Sequence, residues 1–303
     1  MTDLSIIIPV FNSASCLKDT VQTVITSIEK TNKTYEIILI DDGSSDFSWP
    51  AIKDIKALNA NVVGVRLNKN YGQHNALLCG LNICSGNYIV TLDDDLEQNP
   101  ADIEKLQADL QAQDLDMVYG IPAKSNKSIL RVLFRYFYIY TSRKENKNAG
   151  EGSSFRIFTK KLKDSLITHS GSLFFLDEIT LWYTDKIGYV KVDFQKSKKS
   201  NSGYDYGSLV SLWLRVLSLS STMPLRIVRV VGFYIFLFSG FLAMIFIVRK
   251  FMFHVPMGYT SIIVAILFST GIITASLGVI GEYLGNLIAL SNNKPSYSIK
   301  EKI

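Results

Sequence analysis

The sequence contains few of the residues that build metal clusters or disulfide frameworks, with three cysteines and three histidines among 303 residues. Cys16, Cys79 and Cys84 are odd in number and lack the spacing of a metal site, which is consistent with a reducing compartment. No Gly-x-Gly-x-x-Gly follows the first apolar run, and no Gly-Lys-Ser/Thr phosphate loop is present. A dinucleotide-binding fold and a phosphate-loop enzyme are therefore disfavoured.

Charge is missing from two long stretches, residues 230–248 and 257–281. A membrane-spanning helix needs about 20 apolar residues, so both stretches are predicted to span a bilayer. Residues 1–200 hold nearly all the acidic groups, as in an ordinary soluble domain. The predicted organisation is a domain over 1–203, a juxtamembrane amphipathic helix over 204–228, two transmembrane helices within 229–290 (about 230–249 and 258–288) and a tail over 291–303.

The first residues carry no secretory pattern, because Leu4–Phe11 is short and no basic region precedes it. The large domain is therefore expected to stay in the cytoplasm, and two spans would return the tail to the same side. Arg226 and Arg229 before the first span fit the positive-inside tendency, whereas Arg249 and Lys250 between the spans oppose it.

Apolar runs alternate with helical stretches over the first 120 residues, which predicts an α/β fold with a mostly parallel sheet. The predicted strands are Leu4–Val10, Tyr35–Asp41, Val62–Leu67, Tyr88–Asp93 and Asp116–Tyr119. Helices are expected between them, over 14–31, about 47–58, 72–85 and 100–113. Ligands of such sheets lie beyond the carboxyl ends of the strands.

Three consecutive carboxylates follow the fourth predicted strand, Asp93, Asp94 and Asp95. If the strand continues, alternate side chains share a face, so Asp93 and Asp95 point the same way and Glu97 follows them. Hard oxygen ligands so arranged suit Mg²⁺ or Mn²⁺. The alternative is a solvated acidic turn, since Asn99-Pro100 has the pattern of a helix N-cap.

Polar residues also follow the first two strands, Asn12 after one and Asp41–Asp46 after the other. Parallel strands bring these ends to one edge of the sheet, which predicts a binding site there. A basic and aromatic segment over 124–147 favours an anionic membrane surface over nucleic acid, and a solvated basic face is the plainer alternative.

The motifs together resemble the family 2 glycosyltransferases with the GT-A fold, in particular the polyprenyl-phosphate glycosyltransferases of bacteria. The resemblance rests on SIIIPVFN at 5–12, EIILIDDGSSD at 36–46, NYGQHNALLCG at 70–80 and LDDDLEQNP at 92–100. It continues through Pro224-Leu225-Arg226, the Gly281–Gly285 stretch and Lys294–Tyr297. The Asn-Tyr-Gly-Gln-His run leans towards the undecaprenyl-phosphate formamido-arabinose transferases rather than the prophage-type glucosyl transferases.

The resemblance implies site residues by position. A nucleotide pocket would be lined by residues of the strand ends, Pro9, Asn12, Asp41 and Asp42. Asp93 would reach the ribose and the metal, Asp95 would be the main metal ligand, and Glu97 would be a third ligand in place of a usual glutamine. Asp94 receives no role.

Two departures from the family pattern stand out. Relatives have Gly-Asp-Phe-Arg where this chain has Ser153–Arg156, so the carboxylate proposed there as a base is replaced by Ser154. Lys198 and Lys199 stand where relatives have an arginine, and lysine binds phosphate without a bidentate fork. The candidates for holding a lipid phosphate are therefore basic residues of two segments, Lys127, Arg131, Arg135 and Lys199, with Arg131 and Lys198 also counted as catalytic.

The expected activity is inverting transfer of a sugar from a nucleotide-diphosphate donor to undecaprenyl phosphate, with Mg²⁺ or Mn²⁺. The resemblance also implies the cytoplasmic face of a bacterial inner membrane and a homo-oligomer, with a tetramer as one arrangement. Two alternatives are a processive polysaccharide synthase, which lacks support because no Gln-x-x-Arg-Trp is present, and a non-catalytic nucleotide-binding regulator.

Overall fold

The structure is a computed structural model that describes residues 2–123, 153–168, 176–195, 259–291 and 295–303, with the isolated positions Tyr234, Phe241 and Met244. The chain divides into two compact units. The first comprises Met1–Gly203 together with Asn293–Ile303, and the second comprises Tyr204–Asn292.

The described strands of the first unit form one eight-stranded sheet with the order β7-β5-β6-β4-β1-β2-β3-β8. Their bounds are β1 Leu4–Val10, β2 Tyr35–Asp41, β3 Val62–Leu67, β4 Tyr88–Thr91, β5 Met117–Pro122, β6 Arg156–Thr159, β7 Ile187–Val192 and β8 Ile299–Lys302. The predicted α/β class is confirmed, with β4, β1, β2 and β3 parallel to one another. Antiparallel pairs occur where β6 joins β4 and β5, and where β8 joins β3.

Helices cover both faces of the sheet, as the alternation of patterns predicts. They are α1 Leu17–Glu29, α2 Ser48–Leu58, α3 Gln73–Ile83, α4 Ile103–Ala112, α5 Lys160–Ile167 and α6 Leu176–Tyr183. Successive β1 side chains enter opposite layers, because Ile6 and Ile8 pack with α1 and α4 residues while Ile7 packs with α3 residues. A strand buried on both faces is mostly apolar, and β1 is fully buried with Ser5 as its one polar side chain.

The C-terminal residues form a strand, although the sequence pattern assigns them only to a tail. β8 lies antiparallel to β3, with Arg66 opposite Glu301 and Val65 opposite Lys302. A main-chain pair joins Gly64 to Ile303, with N···O distances of 2.9 and 3.1 Å. The chain therefore returns to its first unit after the second.

In the second unit the structure describes one long helix, α7 Tyr259–Ser291. Within the residues described, no helix is both long enough and apolar enough to cross a membrane. The predicted first span over 230–249 and the amphipathic helix over 204–228 lie outside the described residues, apart from the isolated positions in the span.

Candidate active site

The loops after β1, β2 and β4 meet at one edge of the sheet, because β1 pairs in parallel with both β2 and β4. Asn12 ties the first two loops together. Its backbone N–H donates to Ser44 Oγ at 3.0 Å, and its Oδ1 accepts from the Ser45 N–H at 2.9 Å. Asn12 has a φ of 51°, a left-handed conformation that asparagine tolerates better than most residues. Pro9 lies three residues earlier, buried within β1.

Asp41 is fully buried at the end of β2. Its Oδ1 accepts from the Ser44 N–H at 3.0 Å, and its Oδ2 lies 3.1 Å from Arg66 Nε. Burial raises the pKa of Asp41, while the bonds to Ser44 and the charge of Arg66 lower it in part. The buried Asp41 carboxylate therefore fixes the loop after β2 by binding Ser44 and Arg66.

Asp42, only 3% exposed, organises the approach to α3. Its two oxygens accept from the N–H groups of Tyr71 and Gly72, at 2.7 and 2.8 Å. Gly72 has a φ of 89°, which a residue with a side chain rarely adopts. Burial raises the pKa of Asp42 despite these two donors. In this arrangement both oxygens bind main chain.

The acidic triplet does not continue β4, which corrects the strand predicted to reach Asp93. β4 ends at Thr91, a turn follows at Asp94 and Asp95, and Leu96 has a φ of 60°. The alternation that assigns Asp93, Asp95 and Glu97 to one face therefore does not apply, because it requires extended backbone.

The three aspartates have different partners. Asp93 accepts from Gln73 Nε2 at 2.9 Å, from Gln98 Nε2 at 2.7 Å and from the Ser154 hydroxyl. Asp94, to which the sequence assigned no role, accepts from the Phe11 N–H at 3.1 Å and from the Ser13 hydroxyl, joining the β4 and β1 loops. Asp95 Oδ1 accepts from the Glu97 N–H at 3.0 Å.

Ser154 has a definite place in this site although it is not a carboxylate. It contacts Asp93, accepts from Gln98 Nε2 at 3.1 Å, and its carbonyl accepts from Thr91 Oγ1 at 2.5 Å. Burial raises the pKa of Asp93, the bonds from Ser154 and Gln98 oppose this, and the charges of Asp95 and Asp94 raise it further. The negative charge of Asp95 therefore acts on the Asp93 carboxylate.

Sequence reasoning missed a buried arginine beside Asp93. Arg156 donates from Nε to Thr91 Oγ1 at 3.1 Å and forms an ion pair with Asp177, which also accepts from the Tyr119 hydroxyl at 2.8 Å. Burial lowers the pKa of nearby His74, where Asp177 and Arg156 act in opposite directions. The sequence signal that could have identified Arg156 is its position in Ser153–Arg156, where it matches the arginine of the Gly-Asp-Phe-Arg motif.

A divalent ion bound at this site would be coordinated by protein and substrate together. Within the described ranges, no group of three or more His, Cys, Asp or Glu side chains is placed to hold a metal. Asp93 and Asp95 supply two neighbouring carboxylates, and Mg²⁺ is commonly bound by one or two carboxylates together with substrate phosphates. The residues present fit an ion bound in this way.

The predicted basic residues of the site lie outside the described residues. These are Lys127, Arg131, Arg135, Lys198 and Lys199. Their proximity to Asp93 stays a prediction.

Loops gathered at the carboxyl edge of a mostly parallel sheet, beside an acidic turn, are the arrangement of an α/β fold of the GT-A type. The chain belongs to glycosyl transferase family 2, whose family model matches residues 5–170. It is therefore a glycosyltransferase. The family predicted from the motifs is confirmed.

Relatives align with almost the entire chain. An undecaprenyl-phosphate 4-deoxy-4-formamido-L-arabinose transferase of Proteus mirabilis is 27% identical, covering 99% of this chain and 94% of the relative. A protein of the same name from Pseudomonas savastanoi is 28% identical, covering 99% and 90%.

Solved structures support the fold. Glucosyl-3-phosphoglycerate synthase of Mycobacterium tuberculosis, with UDP, superposes with a TM-score of 0.53 at 20% identity, covering 72% of this chain and 78% of that chain. Its complex with Mn²⁺, UDP and phosphoglyceric acid gives a TM-score of 0.55 at 19% identity, covering 72% and 76%.

Proposed function

We propose that this glycosyltransferase transfers a sugar from a nucleotide-diphosphate donor to the phosphate of a polyprenol, undecaprenyl phosphate, with inversion at the anomeric carbon. The observation that carries the proposal is the extent of the alignment. Relatives named for this acceptor match 99% of the chain, including the residues after 170 that the family model does not cover. A likeness limited to the catalytic domain would not favour this acceptor.

The donor nucleotide is proposed to bind at the loops after β1 and β2, against Pro9, Asn12, Asp41 and Asp42. Because the carboxylates of Asp41 and Asp42 accept main-chain N–H groups, their proposed contribution is to shape these loops. Asn12 is exposed and joins the two loops, so its carboxamide lies where a ligand can reach it.

A divalent ion is proposed to bind Asp93 and Asp95, with Glu97 as a third candidate. When bound, Mg²⁺ or Mn²⁺ would neutralise the negative charge of the departing diphosphate. Gln73, Gln98 and Ser154 orient the Asp93 carboxylate by donating to both of its oxygens. Support comes from the paired carboxylates, since the mycobacterial neighbour with Mn²⁺ establishes only the fold.

No general base is required by this proposal. The second pKa of a phosphate monoester is about 6, so the acceptor oxygen is mostly deprotonated near neutral pH. Serine at position 154 is then compatible with catalysis. Lys127, Arg131, Arg135, Lys198 and Lys199 are proposed to hold or neutralise the acceptor phosphate.

Two membrane spans, within 229–290, complete the proposal. Support comes from the charge-free residues 230–248 and 257–281, and from the path of the chain. The second unit begins after Gly203 and ends before Asn293, both of which belong to the first unit. A segment that leaves and rejoins one folded unit crosses a bilayer an even number of times. A cytoplasmic catalytic domain and a homo-oligomer stay predictions.

The test is sugar transfer from a panel of radiolabelled nucleotide sugars to detergent-solubilised undecaprenyl phosphate, with Mg²⁺ or Mn²⁺. Wild type and Asp95→Asn are compared, with Asp54→Asn as a control because Asp54 forms an exposed surface pair with Lys18. We expect label in the lipid from one donor, retained by the control and lost in Asp95→Asn. Donor binding without transfer, across a panel that includes amino sugars, would favour the non-catalytic alternative.

A further inference from the structure

The last strand of the chain is hydrogen-bonded to β3 and its neighbouring residues on both sides of a register shift. Besides the Gly64–Ile303 pair, the Asn68 N–H donates to the Ser298 carbonyl at 2.9 Å, and Asn68 Nδ2 donates to Ser298 Oγ at 2.7 Å. A Cβ on Gly64 would lie 2.9 Å from an Ile303 side-chain atom, so glycine allows this approach. β8 is therefore part of the folded sheet.

From β8, Glu301 reaches across to α2. Its Oε2 accepts from Trp49 Nε1 at 3.0 Å, and its Oε1 lies 2.7 Å from Lys53 Nζ. The Trp49 side chain is buried in the core, so its indole N–H needs a partner. Glu301 supplies that partner and fixes the indole.

The indole in turn packs against Arg66, the residue opposite Glu301 in the strand register. The Arg66 guanidinium carbon lies 5.9 Å from the Trp49 ring centre, within cation–π range. Arg66 Nε lies 3.1 Å from Asp41 Oδ2, and a second guanidinium nitrogen lies 3.5 Å from the Ser44 carbonyl. Arg66 therefore packs against Trp49 on one side and binds Asp41 and Ser44 of the β2 loop on the other.

The series of contacts ends in the loops of the candidate active site. Ser44 donates its N–H to Asp41, and its hydroxyl accepts from the Asn12 N–H. The loops after β1 and β2 are thus connected to the C-terminal strand through the side chains of Glu301, Trp49 and Arg66, which reach Asp41 and the Ser44 carbonyl.

We infer that β8 is a positioning element of the nucleotide site, acting through Glu301, Trp49 and Arg66 on Asp41 and Ser44. The inference rests on the proposed function, since it takes the loops after β1 and β2 as nucleotide-binding.

The experiment compares full-length Glu301→Ala in detergent with wild type and with Asp54→Ala, which breaks an exposed ion pair between α1 and α2, the helix that carries Trp49. Hydrogen exchange is measured for peptides covering 41–46, 93–98 and 298–303, and the affinity for UDP with Mg²⁺ is measured in parallel. We expect exchange of the 41–46 amides to rise about fivefold, as for loss of one hydrogen bond, with 93–98 unchanged. UDP affinity should fall by a similar factor, and Glu301→Gln, which keeps an acceptor for the indole, should recover most of it.

Faster exchange confined to 298–303 would overturn the inference, because β8 would then loosen without affecting the loops. A rise in exchange throughout the sheet in Glu301→Ala would also overturn the inference, because β8 would then support the whole sheet rather than these loops. Failure of the wild type to bind UDP would count against that donor nucleotide. The exchange of 41–46 would still decide whether β8 positions these loops.

Discussion

The buried carboxylates after β2 and the Asp93 carboxylate after β4 accept hydrogen bonds from different kinds of donor. On the β2 side, Asp41 and Asp42 are buried, and three of their oxygens accept main-chain N–H groups. On the β4 side, Asp93 accepts only from side chains in its described contacts, those of Gln73, Gln98 and Ser154.

This difference indicates that the β2 side holds a fixed shape, whereas the Asp93 carboxylate can change its hydrogen-bond partners. Main-chain donors move only when the backbone moves, so the β2 side is preorganised before any ligand arrives. Side-chain donors can rotate away, so the carboxylate of Asp93 can exchange its partners when an ion and a diphosphate enter. Substitutions on the β2 side should therefore reduce stability first, and those on the β4 side should reduce activity first.

The largest effect on stability is expected for Arg66→Met. The substitution keeps most of the apolar stem but leaves the fully buried Asp41 without its cation. Removing one partner of a buried pair costs about 3–5 kcal/mol, and the 27% exposure of the Arg66 side chain places this case near the lower end. Thermal unfolding of the detergent-solubilised protein, with Lys18→Met as the surface control, measures the loss. Equal losses of stability in Arg66→Met and Lys18→Met would contradict this prediction.

Strand patterns alone predict β1, β2 and β3 to the residue, because buried parallel strands are mostly apolar. β8 is not predicted from the sequence, because it lacks a continuous apolar run. Its residues Ile-Lys-Glu-Lys are mostly polar, and its partner β3 lies more than two hundred residues earlier in the chain. An edge strand held by Glu301 and the terminal Ile303 leaves no periodic signal.

On the β4 side, the largest effect is expected on catalysis. Asp93→Asn should lower sugar transfer about 100- to 1000-fold, the range for removing one preorganised electrostatic contact. Its melting temperature should stay near that of wild type, because the carboxamide oxygen still accepts from Gln98. Transfer and thermal unfolding are measured on the same preparation, beside Asp54→Asn. If Asp93→Asn lowers the melting temperature strongly while transfer is retained, the expected contrast between a stability effect on the β2 side and an activity effect on the β4 side is wrong.

The acidic triplet shows where sequence reasoning about the site ends. Its importance follows from three adjacent charges, but its geometry follows from a turn at Leu96 that strand alternation does not anticipate. The role of Asp94 depends on Phe11 and Ser13, which lie more than eighty residues away. A motif identifies the chemistry, whereas the partners of each carboxylate come from the tertiary structure.

A smaller effect is expected when the family's carboxylate is restored. Ser154→Asp places a second carboxylate against Asp93, and like charges in contact raise the pKa of one of them. The ionised form of Asp93 is then lost as the pH falls, so transfer should decrease about tenfold near pH 6 and less near pH 8. Ser154→Asn is the uncharged control. Faster transfer in Ser154→Asp at both pH values would show that a base at this position limits the reaction.

The smallest effect is expected at the outer end of the β2 side, for Glu301→Gln. The hydrogen bond from Lys53 lowers the pKa of Glu301 below its ordinary 4.5. A carboxylate with a lowered pKa stabilises the fold above its ordinary pKa and loses this contribution as the pH falls through the lowered value. The melting temperatures of wild type and variant should therefore differ slightly at pH 7 and converge in acid.

Asp42→Asn should show the opposite trend. Burial raises the pKa of Asp42 above its ordinary 3.8, so its titration contributes stability fully below 3.8 and loses it as the pH rises through the raised value. The difference between wild type and Asp42→Asn should then shrink with rising pH, whereas that for Glu301→Gln grows. Parallel pH series of thermal unfolding would separate a carboxylate that shapes a loop by burial from one that fastens a strand by charge. Parallel slopes for the two variants would show that burial does not distinguish them.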